Sequence, residues 1–149
     1  MKITILFMAL IFSLPAMADQ LFANIKSLRI NKSMEVSTTN DAYHKNENYV
    51  YIQDGRLLSE LAFDKAFCVI VVRADKNYGV IAPVELSVAS NVDREEGPSL
   101  ELGVRGKSLY FNNPLITRIL CVSAITGPNV PPTVELAKSV FGSYAEIIP

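Results

Sequence analysis

The sequence predicts a mainly β domain, an antiparallel β-sandwich or curved sheet carrying one short C-terminal helix. Three observations carry that expectation. Apolar and polar residues alternate between turn-forming pairs over most of the chain, the period of half-buried strands. Two runs, Phe67 to Val72 and Ile116 to Ala124, are almost continuously apolar and rich in β-branched residues, as strands covered on both faces are. Helical spacing is confined to one stretch near the end, where Val134, Ala137, Val140 and Phe141 recur at three- and four-residue intervals.

Residues 1–18 have the pattern of a secretory signal. Lys2 gives a basic start, Ile3 to Leu14 are interrupted only by Thr4 and Ser13, and Ala16-Met17-Ala18 is a small-x-small cleavage site. The apolar run is about 12 residues against the roughly 20 a spanning helix needs, so the pattern excludes an anchor and leaves no membrane span after signal cleavage. No Cys stands at the cleavage site, which rules out lipid attachment there. A signal this short with a single Lys has bacterial proportions. The expectation is an exported protein, periplasmic or secreted, with residues 19–149 as a single β-rich domain.

Three hairpins can be placed by register, because slipping a strand by one residue turns every side chain to the other face. Leu28 and Ile30 face Met34 and Val36 if Asn31-Lys32-Ser33 is a three-residue loop. Tyr49–Gln53 and Arg56–Ser59 flank Asp54-Gly55, a preferred two-residue turn pair, which sets Ile52 opposite Leu57. Leu100, Leu102 and Val104 flank Gly106-Lys107, setting Val104 opposite Leu109 and Leu102 opposite Phe111. Val84, Leu86 and Val88 alternate with Glu85 and Ser87, a strand with one wet face. Pro131-Pro132 lead to Thr133 as an N-cap, Gly142 stands where a helix ends, and Tyr144–Ile148 can return as a last strand. Residues 21–28 are ambiguous: Phe22, Ile25 and Leu28 suit one helical turn or two.

The two cysteines, Cys68 and Cys121, fall in the two continuous runs. In an oxidising compartment an even count points to a bridge, which would tie two central strands and close a loop worth roughly 4 kcal/mol of chain entropy. The cysteine spacing is close to that of an immunoglobulin domain, but the chain has no Trp, and Ile119 stands where that fold carries its corner Tyr, so the analogy is not carried over.

Several chemistries find no support. A formal net charge of −1 argues against a nucleic-acid partner, which wants a basic surface. With one histidine, His44, and bonded cysteines, no His/Cys zinc cluster can form, and no cofactor motif is present. Asn91 to Glu96 offers oxygens for calcium but lacks the ordered loop spacing and reads as a solvated turn before Gly97-Pro98. Gly106-Lys107-Ser108 echoes the end of a phosphate-binding loop, yet Glu101 stands where its first Gly belongs. No G-x-S-x-G elbow exists, His44 lies in a polar stretch, and spacing singles out no catalytic pair from Asp54, Glu60, Asp64, Asp93, Glu95, Glu96 and Glu101. No catalytic residue is assigned.

Tyr43 to Tyr51 is the stretch that best suits recognition, and Tyr110-Phe111-Asn112-Asn113 has a similar composition. Tyr43, Asn46, Asn48, Tyr49 and Tyr51 combine rigid amphipathic rings with adaptable hydrogen bonding, the composition binding loops favour. On a strand beginning at Tyr49, Tyr49 and Tyr51 share the outer face while Val50 and Ile52 point to the core. The leading functional expectation is therefore a non-enzymatic exported binding or envelope-interaction domain, with a protein or glycan partner in the envelope or outside the cell. A small carboxylate-dependent hydrolase acting on envelope carbohydrate and a secreted enzyme inhibitor are the alternatives.

Overall fold

A computed structural model describes residues 24–36, 47–73, 79–96, 105–124 and 132–149; the side chains of 91–96 and 105 are not described. The strands are β1 (Ser27–Ile30), β2 (Met34–Glu35), β3 (Glu47–Gln53), β4 (Arg56–Leu58), β5 (Phe67–Arg73), β6 (Val80–Ile81), β7 (Val84–Glu96), β8 (Arg105–Phe111), β9 (Ile116–Val122) and β10 (Ala145–Ile148), with helix α1 (Val134–Phe141) before the last. Eight of them form one antiparallel sheet in the order β10-β1-β7-β8-β9-β5-β3-β4, and β2 pairs with β6 in a separate two-stranded ribbon. Of the two architectures the sequence allows, the chain adopts the curved sheet: a half-barrel with one short helix. Register shifts at Val71/Val72, Val88/Ser90 and Val92/Glu95 mark bulges, which bend a strand and raise its twist, and so let a sheet of this width curl.

The two continuous apolar runs become neighbouring strands in the middle of the sheet. Cys68 lies directly opposite Cys121, their Cα atoms 4.1 Å apart, and a disulfide joins them. Phe67 to Val72 are all buried because both faces of this strand pair are covered. On the inner face Cys68, Ile70, Val72, Ile119 and Cys121 meet Val50 and Ile52 of β3, Leu109 and Phe111 of β8, Leu28 and Ile30 of β1, and the buried side of α1. On the outer face Tyr49, Phe67, Val69, Val71, Leu120 and Val122 form a second, smaller cluster with Tyr51 and Leu61 packed against it.

The local predictions hold where a turn fixes the register. Asp54 and Gly55 take φ 52° and 67°, the doubly positive two-residue turn that matches strand twist, and Ile52 faces Leu57. Gln53 is buried beside this turn. Its amide donates to Ala62 O at 2.7 Å and accepts from Ala62 N at 3.0 Å, which ties the 59–66 loop to β3. Asn113 Oδ1 accepts from the backbone N–H of both Leu115 and Ile116 at 2.9 Å, shaping the entry to β9. Leu86 is buried while Glu85 and Ser87 are exposed, and Leu28 lies in a strand.

Three expectations are corrected. Leu28 and Ile30 do not pair with Met34 and Val36: β1 is flanked on both sides by β7 and β10, so no edge is left for the following residues, and Met34 pairs instead with Ile81. The face was read correctly, since Met34 joins the same core and Val36 packs against it. Gly106-Lys107 is not a turn. β7 runs on through 91–96, also expected as a turn, and pairs Glu95 with Gly106 and Glu96 with Arg105. Gly106 serves close packing: a Cβ there would overlap Leu120 Cδ1 and approach Cys121 O to 3.1 Å. Leu109 consequently faces Asn91 and Ile119, and Phe111 faces Val88. Leu100, Leu102 and Val104 lie outside the described residues.

α1 begins as expected, with Thr133 Oγ1 accepting from Leu136 N at 3.1 Å. Its buried residues are Val134, Ala137, Val140 and Phe141. Gly142 then takes φ 55° with ψ −122°, positive as a helix-ending glycine should be but outside the left-handed helical well. The reason is a meeting of two backbones. Gly55 N donates to Val140 O at 2.9 Å, and a Cβ on Gly142 would stand 2.9 Å from Gly55 Cα. The end of α1 thus docks on the β3–β4 turn at one side of the half-barrel, and the chain leaves it as β10 at the other. Gly142→Ala is expected to cost about 1–3 kcal/mol in backbone strain alone, more once the overlap is counted. At Gly55, whose added Cβ would meet Gly142 Cα at an ordinary 3.6 Å, Ala should cost less. Chemical denaturation of both variants checks the ranking, and an equal or reversed order would contradict the docking.

Candidate functional site

The outer face of β3, β5, β9 and β8 is where the structure places the tyrosines that the sequence singled out. Pairing fixes two rows across it. Tyr51, Val69, Leu120 and Ser108 lie in one; Tyr49, Val71, Arg118 and Tyr110 lie in the next. Glu47, two residues before Tyr49, opens β3 on the same side of the pleat. Four strands far apart in sequence therefore bring two acidic or basic groups and three phenols to one patch.

The patch is ordered from the buried end outward. Tyr49 is 2% exposed, and its hydroxyl donates to Glu47 Oε2 at 3.0 Å. The same carboxylate oxygen lies 3.8 Å from Arg118 Nη2, and Arg118 Nη1 donates to Tyr110 Oη at 3.5 Å. Tyr51 stacks beside Tyr49, ring centroids 6.1 Å apart and planes 19° from parallel, and is half-buried. Phe63 meets Phe67 edge-on at 6.3 Å further along this face and is 51% exposed. Tyr49 is thus a support, and Tyr51 is the ring it presents.

Of the residues expected to bind, Tyr49 and Tyr51 come together on the outer face. Asn48 does not join them: it pairs with Val72 and shares the inner side of β3 with Val50 and Ile52. Tyr43 and Asn46 lie outside the described residues, as does His44. Arg118 escaped the sequence reading, and so did the meeting of Glu47 and Tyr110 with it beside Tyr49, because only the long-range pairing of β8, β9 and β3 brings them together.

Away from this patch, Asp54 and Glu85 are engaged in surface ion pairs. Asp54 Oδ2 lies 2.9 Å from Lys65 Nζ, and this hydrogen bond raises the Lys65 pKa. Glu85 accepts from Arg29 at 3.0 Å and from Ser27 at 2.9 Å, partners that hold its carboxyl below the usual range, Arg29 foremost. A general acid needs the opposite shift. Among the described residues, no group of three or more His, Cys, Asp or Glu could hold a metal ion. Two shallow depressions flank the face, one of about 240 Å³ lined by Glu35, Val50, Tyr51, Leu57, Leu58 and Ser59. The other, of about 250 Å³, lies along β7 and the end of β8 between Glu85 and Asn113. Both are smaller than the roughly 300–1,000 Å³ of enclosing small-molecule pockets. No family model, curated protein or solved structure matches the chain.

Burial, reinforced by the Glu47 carboxylate, pushes the Tyr49 phenol far above its ordinary pKa. Its stabilising contribution is therefore complete below the unfolded value of about 10 and falls as pH rises beyond it, since only the unfolded chain then ionises. Spectrophotometric titration of the folded protein should leave one tyrosine un-ionised where the exposed ones titrate. Tyr49→Phe should flatten the alkaline loss of stability. Ionisation of all six tyrosines near pH 10 in folded protein would contradict this placement.

Proposed function

We propose that the chain is an exported, non-enzymatic binding domain of a bacterial envelope or exterior, which engages a protein or glycan partner through the outer face of β3, β9 and β8. The observation that carries this reading is Tyr51. Its ring is half-exposed yet held in one orientation by Tyr49, whose own hydroxyl is fixed by Glu47. A rigid aromatic beside an Arg–carboxylate pair is the composition from which interface anchors are drawn, because little side-chain entropy remains to be lost on binding. Export rests on the signal pattern of residues 1–18, and the Cys68–Cys121 disulfide supports an oxidising compartment. Among the described residues no helix is long and apolar enough to cross a membrane.

Tyr51→Ala tests the reading. The immobilised protein is used to capture components of an envelope extract, and the affinity of the captured component is then measured directly for both forms. Truncating an interface anchor typically costs about 2 kcal/mol or more, so the variant should bind at least about tenfold more weakly with its melting temperature little changed. A lowered melting temperature with capture retained would reduce Tyr51 to a member of the outer core, and the binding face would be abandoned.

A further inference from the structure

We propose that two copies of this chain associate edge to edge through β4, extending the half-barrel sheet across a twofold axis at Leu58. The observation behind this is an edge strand, open among the described residues, whose charges are placed to complement those of a second copy. β4 ends the sheet order, with β3 on one side and, among the described residues, no strand on the other. Natural edges are blunted by shortness, charged side chains, bulges or prolines. β4 is short and carries Arg56, but has neither proline nor bulge, and Leu57 and Leu58 are half-buried at the rim, next to the shallow depression that they line with Tyr51 and Ser59.

The backbone dictates which registers such a pairing can use. In the β3–β4 hairpin the residues flanking the two-residue turn, Gln53 and Arg56, form a hydrogen-bonded pair, so alternate residues of β4 direct their N–H and C=O groups inward. Arg56 and Leu58 are therefore satisfied by Gln53 and Tyr51, while those of Leu57, and of Ser59 as the strand continues, point away from the sheet. An antiparallel second copy can meet these outward groups in three ways: Leu57 on Leu57, Leu57 on Ser59, or Ser59 on Ser59. The middle register centres the axis on Leu58 and exchanges hydrogen bonds between Leu57 and Ser59 twice.

Charge selects the same register. With Leu58 opposite Leu58, Arg56 of each copy stands opposite Glu60 of the other, on the outer face with Leu58 and Tyr51. Arg56 and Glu60 are both exposed, and neither has an ion-pair partner among the described residues. The other two registers bring Arg56 opposite Leu58, or Glu60 opposite Leu58, and gain no ion pair. Ser59 and Glu60 form a bend after β4 in one copy, and pairing draws them into the strand. Apolar contact at the centre, flanked by two opposite-charge pairs, is self-complementary in the way a twofold interface requires. The association does not depend on the partner-binding role proposed for Tyr51.

Sedimentation equilibrium of the purified chain, with Arg56→Glu and Glu60→Arg as single variants, tests this. The unaltered chain is expected to approach a dimer as its concentration rises. Each single variant turns both contacts from attraction to repulsion and should weaken the dimer by roughly tenfold or more. An equimolar mixture of the two variants restores opposite charges at both contacts, and a mixed dimer should form in which neither variant pairs with itself. Both residues are exposed, and unchanged circular dichroism will confirm that the fold is kept. A monomer throughout the range would overturn the proposal. So would a dimer indifferent to the charge changes, or assemblies that lengthen with concentration, as β4 pairing on β10 would give.

Discussion

The constraint on which the rest of the molecule depends is the pairing of β5 with β9. These strands carry the two continuous apolar runs of the chain, and a strand apolar on both sides is stable only with both faces covered. Everything else is arranged to supply that cover. β3 and β8 flank the pair, α1 and the β2–β6 ribbon fill the inner side, and Tyr49, Tyr51 and Leu61 pack on the outer one. The pair is also costly to form, because 53 residues separate Cys68 from Cys121. The disulfide lowers that cost by limiting the unfolded chain, an effect of roughly 4 kcal/mol in the chain-entropy model, set against a typical net stability of about 5–15 kcal/mol.

An open, curled sheet has two edges to manage. The described sheet ends on β10 and β4, and the C-terminal segment links the two: β10 pairs with β1, and α1 just before it reaches back to the β3–β4 turn, where Gly55 and Gly142 meet backbone to backbone. That contact explains why position 142 is glycine, since a side chain there has neither the space nor the dihedral freedom it needs, while Gly55 is called for by its φ of 67° in the turn. The turn is fixed, but among the described residues no strand pairs with the rim of β4 beyond it. Stability and association therefore trace to adjacent residues, Gly55 for one and Arg56 to Glu60 for the other.

What was legible in the sequence follows the range of the interactions involved. The Asp54-Gly55 hairpin was readable to the residue because a two-residue turn fixes its own register. The α1 boundaries were readable because Thr133 and Gly142 act within a few residues. Parity gave the correct face for Leu28, Ile30 and Met34, but parity says nothing about which strand lies alongside, so β1 was given Met34 when β7 and β10 hold it. Gly106 was mistaken for a turn because glycine serves both sharp reversal and close packing, and only the position of Leu120 distinguishes them. The site was half readable. Tyr49 and Tyr51 were placed on the outer face by alternation alone, whereas Arg118 meets both Glu47 and Tyr110 through pairings that no local pattern encodes.

If the β5–β9 pair is the element the fold depends on, its backbone should be the last to open. Native-state hydrogen exchange of the oxidised and the reduced protein measures this directly. The amides of Val69 to Val72 and Ile119 to Val122 that bond across the pair should exchange only with global unfolding, later than those of β4 and β10. Reducing the disulfide should lower their protection by about 4 kcal/mol while they remain the slowest set. Edge-strand amides as slow as these, or central protection indifferent to reduction, would contradict the account.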